Sequence, residues 1–516
     1  MINQQTKRIV IIAMFIITIL TPSLLAEISA AQNQTPYARA NIILNYATVS
    51  QTSADLDLII DSPQARYYTS SNIPIDLTGS STTWNVYNGT HWLFSSPKLY
   101  TSPTMITLDN GEYRLHAWNG GVERSVVFGV NTRNIGAVYA IGGSNTEIQA
   151  AVNSANVGYA VYLPAGTYEF DSVAPWNEVS VPAGISIYGA PVLRDANGQV
   201  TDWNWNTILT MPYDAANYSF FFKYTGTSSY LTRFTGIKIV GYREFDSSHI
   251  EATYEALRMV DGNSEFRVDH CHFRNVPGTA TVTSEGARGV MDHCVLINYP
   301  VYLPGVWNSD SAHYGFVIAG PGEWLTRSSV VGKYNSYDWY VEDNYFSGYE
   351  VCMQTSNAGH YVFRYNTVEN GALGASLHSN VASGYGGRCA EVYGNTFTYV
   401  AMGDEADMAG VRQNCGTLIV TGNTFIDFGI NNGLWDSAIH LIQGNPDSFS
   451  WSQIQDTYIW GNVLNPQTAR LIVKRWDNGA TSPITEGTHY YLRPPSFSAD
   501  GWEYKPYLYP HPLVDD

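Results

Sequence analysis

A six-residue block recurs seven times between residues 268 and 464: apolar, any, turn-forming, Cys or Asn, any, apolar. The copies begin at Val268, Met291, Val341, Phe363, Val392, Val420 and Ile459. Their fourth positions are Cys271, Cys294, Asn344, Asn366, Asn395, Asn423 and Asn462. Steps of 23, 22, 29 and 28 residues each fit one coil of a solenoid. The step of 50 from Cys294 to Asn344 reads as two coils, and the step of 39 from Asn423 to Asn462 as one coil with an insertion. Short β runs at this period stack as a parallel β-helix, with coils ~4.8 Å apart. One Asn per coil then has a physical reason, since its amide donates and accepts along the stack and tolerates a left-handed turn. Cys271 and Cys294 continue this ladder as stacked buried thiols, because side chains on adjacent parallel strands point the same way. Cys389 and Cys415 flank successive strands and are the pair that could form a disulfide.

The rest of the chain sets the context. Of its 516 residues 44% are hydrophobic and only 14% charged, which excludes a disordered or coiled-coil protein. A formal net charge of −18, with no basic stripe, excludes nucleic acid as a partner. Lys7 and Arg8 precede an apolar run from Ile9 to Leu20 and then Ser29-Ala30-Ala31, so residues 1–31 read as a signal peptide. That run is shorter than the ~20 residues a membrane span needs. No span is therefore expected after cleavage, and the expected location is extracellular or at the cell surface. Asn33, Asn88 and Asn217 begin Asn-x-Ser/Thr acceptors. Residues 36–131 show short alternating runs broken by turns, most clearly Tyr113 to Trp118, Asn119-Gly120-Gly121 and Val122 to Val130. Alternation split by Asn-Gly-Gly reads as a hairpin, and about seven such strands as a β-sandwich.

The repeated block resembles the right-handed parallel β-helix superfamily that includes pectate lyases and polygalacturonases. Glu147 to Val152 followed by Val161 to Tyr168 looks like the capping helix and first coil of that superfamily. The resemblance covers residues 135–495. Residues 36–131 resemble the immunoglobulin-like modules of secreted archaeal surface proteins, and the tail at 496–516 resembles the C-terminus of other bacterial β-helix proteins and is expected across the last coil. The expected fold class is all-β, a β-sandwich followed by a right-handed parallel β-helix. Asp269-His270 and Asp292-His293 are similar to a segment of one pectate lyase family, but its companion Arg-x-Pro-x-x-Arg is absent. They read better as β-helix turns.

Counting backward from the ladder gives Thr355, His378 and Arg412 on the first strand of successive coils, stacked on one outward face, with His440 extending the row. In the resembled superfamily the polysaccharide cleft runs along that strand. The loop entering it carries Asp404, Glu405 and Asp407; the loop leaving the His378 strand carries Tyr385 and Arg388; Trp435 lies in the entering loop of the next coil. These residues suit two reactions. In β-elimination from a uronate polymer, His378 or Arg412 is base or charge neutraliser, with Asp404 and Asp407 as hard-cation ligands for Ca²⁺. In hydrolysis, two of Asp404, Glu405 and Asp407 are acid and base or nucleophile. As plain structure, the loop is a solvated turn and the row coats the solenoid. The expected function is thus a secreted protein acting on acidic polysaccharide as lyase or glycosidase; the alternative is a non-catalytic adhesion, carbohydrate-binding or surface-layer protein.

Overall fold

The computed structural model describes residues 58–514 apart from connecting segments, the longest being 192–204, 211–218, 242–253, 299–313, 321–337, 378–385, 400–408, 429–436 and 444–453. The signal-peptide reading and the acceptors at Asn33, Asn88 and Asn217 lie outside the described residues.

From Gly136 to Tyr491 the described chain forms three parallel sheets of 12, 10 and 10 strands. Apart from the opening pair of the first sheet, Gly136–Tyr139 and Tyr159–Tyr162, neighbours within each sheet are three strands apart in sequence, so each full coil contributes one strand to each sheet, as a parallel β-helix requires. The first sheet runs from Gly136–Tyr139 to Tyr490–Tyr491, the second from Gly166–Glu169 to Val463–Asn465, and the third from Val179–Pro182 to Ile472–Trp476.

The repeated block is the corner between first and second sheets. Its opening residues pair in one row, Val268, Met291, Val341, Phe363, Val392, Val420 and Ile459. Its closing residues pair in another, Phe273, Leu296, Phe346, Val368, Phe397, Phe425 and Leu464. Except for Leu464, which packs against its edge, these residues form part of one continuous buried core.

Between the two rows runs the ladder. Each Asn amide donates to the next Asn Oδ1, at 3.1 Å from Asn344 to Asn366, 3.1 Å from Asn366 to Asn395, 2.9 Å from Asn395 to Asn423 and 3.0 Å from Asn423 to Asn462. The backbone N–H of Cys294 donates to Asn344 Oδ1 at 2.8 Å. That contact makes the 50-residue step a single coil rather than two; the excess chain lies in the segments 299–313 and 321–337, either side of the third-sheet strand Tyr314–Ala319. A second correction concerns the left-handed position. It belongs to the residue before each ladder residue: His270, His293, Asp343, Tyr365, Gly394, Gly422 and Gly461 have φ between 50° and 68°. The left-handed residue turns the chain so that the following amide points down the stack. All five cysteines are buried free thiols, so Cys389 and Cys415 do not pair.

The N-terminal end of the core is closed by α1, Asn145–Ser154, which buries Ile148, Ala151 and Val152. A capping box starts it, with the Glu147 N–H donating to Ser144 Oγ and the Ser144 N–H to Glu147 Oε2.

The C-terminal tail packs on the last coil, where Trp502 and Tyr504 meet Tyr458 and Trp460, and does not stop there. It runs back along the outer face of the first sheet, where Trp502, Tyr504, Tyr507, Leu513 and Val514 cover Val290, Tyr340, Val362 and Ile419. An outward apolar row of this length needs a cover, and the tail supplies it. Buried Arg364 holds it down: the guanidinium donates to Glu342 at 2.6 Å, to Tyr507 O at 3.0 Å and to Leu508 O at 2.8 Å. Further along that face Asp269 and Asp292 take bidentate bonds from Arg233 and Arg267. His270 and His293 bond those aspartates, and their rings stack at 5.2 Å. The Asp-His pairs therefore sit in structural turns.

Residues 60–130 form a separate pair of sheets. One has three strands, Ile60–Ser62, Asn72–Leu77 and Thr104–Thr107; the other has five, ordered Tyr67–Tyr68, Val122–Val130, Gly111–Asn119, Thr83–Tyr87 and Lys98–Leu99. Ile73, Ile75 and Leu77 from one share a core with Trp84, Val86, Leu115 and Phe128 from the other.

Candidate functional site

The third sheet departs from simple alternation in a way that decides which residues face out. Phe221 and Phe222, Ala256 and Leu257, Cys352 and Met353, and Ala438 and Ile439 are consecutive pairs that both enter the core. Gly374 and Gly410 occupy the same bend, where an added Cβ would meet the rings of Phe397 at 2.3 Å and Phe425 at 2.4 Å. Beyond the bend the alternation restarts, with one outward row through Arg258, Thr283, Val317, Gln354, Ser376, Arg412 and His440. Before the bend, Glu255, Tyr314, Val351, Leu373 and Ala409 face outward.

This register corrects the expected stack. Thr355 aligns with Leu377 and Gln413 and faces inward, its hydroxyl donating to Ile318 O at 2.9 Å. Arg412 aligns with Ser376 on one side and His440 on the other. The residue after Leu377, His378, lies outside the described residues, as do Tyr385, Asp404, Glu405, Asp407 and Trp435. Arg388 is half-buried at the entry to the first-sheet strand Cys389–Tyr393, and burial lowers its pKa. Arg412 donates from Nε to Asn414 Oδ1 at 2.9 Å, and His440 is buried. Tyr314 is hydrogen-bonded to Gln354; burial and then the charge of Glu350 raise its pKa, while Gln354 and the Arg412 charge oppose the rise.

A second cluster on the same face is invisible in the sequence pattern. Glu255 is buried at 9% exposure, with a pKa raised to about 7. Burial is the main cause; Arg258 and a hydrogen bond from Thr283 pull it down, and Glu285 pushes it up. Among the described residues its Oε2 has no hydrogen-bond partner. Arg258 Nη2 donates to Glu285 Oε1, and in the preceding coil Lys223, paired in register with Arg258, lies 3.7 Å from Glu178. One carboxyl is thus poised to give a proton near neutral pH while its neighbour is ion-paired to Arg. This is the asymmetry that acid–base chemistry on a glycosidic bond uses. Sequence reading passed over Glu255 because Tyr254–Val260 reads as an ordinary strand; the carboxylate at Glu285, one coil on, was the available signal. Among the described residues no group of three or more His, Cys, Asp or Glu is placed to hold a metal ion, and no helix is long and apolar enough to cross a membrane.

No protein-family model and no curated protein matches the chain. Solved structures similar to it include a family 28 exopolygalacturonase from Yersinia enterocolitica, 12% identical, covering 83% of this chain and 87% of that one with a TM-score of 0.40. An alginate lyase from Paenibacillus is 14% identical, covers 69% and 99%, and has a TM-score of 0.36. The tailspike protein of E. coli bacteriophage HK620, solved with a pentasaccharide, is 14% identical over 66% and 61%, with a TM-score of 0.36.

Proposed function

We propose that this is an exported polysaccharide-acting β-helix protein whose substrate lies along the outward face of the third sheet. Glu255 is the proton donor and Glu285, ion-paired to Arg258, the second carboxylate of a glycoside hydrolase. The observation that carries this reading is Glu255 itself: an outward, buried carboxyl with a pKa near 7 beside a second carboxyl and an arginine. From Arg258 to Arg412 the outward row spans five coil steps, roughly 24 Å at ~4.8 Å per step. A chain lying on it meets Arg258, Val317 and Arg412, the members of the row that are not buried. In this reading His378, next in the chain after Leu377, and the 404–407 carboxylates, just before Ala409, contact the same substrate, with Ca²⁺ as the cation that Asp404 and Asp407 suit. The solenoid is right-handed and the 60–130 unit is an immunoglobulin-like sandwich in this reading.

The Arg412 end favours one second reading. Arg412 in charge contact with Tyr314, next to His440, suits neutralisation of a uronate carboxylate during β-elimination. A panel of neutral and uronate polymers, read by reducing ends and by the absorbance of unsaturated ends, tests both. Hydrolysis lost in Glu255→Gln supports the first assignment. Unsaturated ends that survive Glu255→Gln and vanish in Arg412→Ala support the second. Silence in both assays with binding retained makes the protein a non-catalytic rod.

A further inference from the structure

The 60–130 unit carries an aromatic cluster that its own core does not use. In the five-stranded sheet Trp84, Val86, Leu115 and Ala117 face inward, so Asn85, Tyr87, His116 and Trp118 face out. Trp92 lies across this outer face. Its ring meets Tyr87 at 5.3 Å, His116 at 5.1 Å and Trp118 at 5.9 Å, inclined by 62°, 77° and 61°. His116 and Trp118 are nearly parallel, 17° apart with centroids at 5.7 Å. Despite three ring neighbours, Trp92 is 43% exposed.

Its placement is fixed by polar contacts. Asn85 is buried, accepts from Phe94 N at 3.3 Å and donates to Phe94 O at 2.9 Å, while Leu93 N donates to Val86 O at 2.8 Å. These bonds clamp the segment that carries Trp92 onto the sheet. Beside it, His116 Nδ1 and Glu123 Oε1 are 2.7 Å apart, and the Glu123 side chain is 54% exposed.

We infer that Trp92 is the platform of a second carbohydrate-binding site, with Trp118 and His116 beneath it and Glu123 as a hydroxyl acceptor at its rim. The occupant is a pyranose unit of the polysaccharide engaged by the β-helix, so the choice of ligand rests on the function proposed above. A rigid indole offers an apolar face the size of one sugar ring, and the adjacent carboxylate supplies the directional polar contact such sites need. A protein partner would call for a broader apolar patch than one ring. Joining this site to the β-helix raises the effective concentration of a long chain at the third sheet without new contacts there.

The test uses the full chain, made in a host that does not glycosylate Asn88, so that no attached sugar occupies the ring. Affinity for the insoluble or high-molecular-weight glycan that binds best is compared with turnover of a short soluble oligosaccharide in Trp92→Ala, Trp92→Phe and Glu255→Gln. Removing a central Trp from a binding site lowers affinity by at least about tenfold. The expected result is that loss in Trp92→Ala, substantial recovery in Trp92→Phe, and unchanged oligosaccharide turnover in both. Recovery in Trp92→Phe separates binding from a folding defect. Long-chain affinity in Trp92→Ala within twofold of wild type overturns the inference, even if Glu255→Gln abolishes turnover and the catalytic reading stands. Loss of affinity in Trp92→Ala with no turnover by wild type sustains the inference and removes the catalytic reading. If wild type binds no glycan of the panel, both fail.

Discussion

Replacing Asn395 with Ala should be among the most damaging single changes in the solenoid, and the cost can be worked out contact by contact. Asn395 is 1% exposed. Its Oδ1 accepts from Asn366 N at 2.8 Å and Asn366 Nδ2 at 3.1 Å, while its Nδ2 donates to Phe363 O at 2.8 Å, Tyr393 O at 3.1 Å and Asn423 Oδ1 at 2.9 Å. In Asn395→Ala, Asn423 Oδ1 keeps its bond from Asn395 N, and Asn366 Nδ2 keeps its bond to Val341 O. Asn366 N–H loses its ladder acceptor, and Phe363 O loses the Asn395 amide. At ~1–3 kcal/mol for each buried group left without a partner, the two together cost about 2–6 kcal/mol. That is a large share of the ~5–15 kcal/mol that holds a typical domain together. Asn462 is the contrast, because it ends the ladder and is half-buried, so water can replace it as acceptor for Asn423; Asn462→Ala should cost about 1 kcal/mol.

Asn395→Asp adds a pH signature. One carboxylate oxygen can serve Asn366, but the other faces three acceptors and is satisfied only when protonated. Its folded pKa is therefore raised, and the variant loses stability as pH rises from the unfolded carboxyl value, about 4, toward the folded one. Urea midpoints by circular dichroism at pH 4.5 and pH 8 check all three variants. The reasoning is refuted if Asn395→Ala falls within about 1 kcal/mol of wild type, if it matches Asn462→Ala, or if the Asp variant is no weaker at pH 8 than at pH 4.5.

Three further outcomes follow from the same geometry. Glu255, raised from 4.5 to about 7 by burial, holds its proton more tightly folded than unfolded, so its charge costs stability as pH rises through that window. Glu255→Gln should raise the urea midpoint at pH 8 and leave it unchanged at pH 4; equal effects at both would refute the assignment. His511 is lowered from 6.5 to about 4, chiefly by burial and then by Arg364, and its Nδ1 accepts from Leu513 N at 3.2 Å. The tail is therefore held best above pH 6.5 and loosens as pH falls toward 4. Limited proteolysis should release C-terminal fragments faster at pH 4.5 than at pH 7, and His511→Phe should reduce that difference. The native protein should leave all five buried thiols unreacted with a thiol reagent, and denaturation should expose five; a fast-reacting thiol in the native state would contradict the packing.

How much was legible in advance depends on whether a feature is local or long-range. The block was legible because its apolar, left-handed and amide positions lie within six residues, so the spacing of each copy survives any change in loop length. The helix that closes the core was legible through the likeness of Glu147 to Val152 to a β-helix cap; the Ser144–Glu147 capping box that starts it came only with the structure. The third sheet was not. The connection from His378 to Asn395 differs in length from the one between Thr355 and Asn366, so the same spacing rule does not give the same register in both coils. The double inward bend at Cys352-Met353, Gly374-Ala375 and Gly410-Val411 then reversed inside and outside relative to simple alternation.

The chain alone therefore determined the coil, its ladder and the cap, because these follow from short-range spacing and from what an amide or an apolar side chain requires when buried. Only tertiary structure decided that the 50-residue step is one coil, that the tail covers the first sheet, and that Glu255 sits beside Arg258 and Glu285. Those facts depend on which strands become neighbours across dozens of residues. The burial that lifts Glu255 to about 7 arises only once they are stacked.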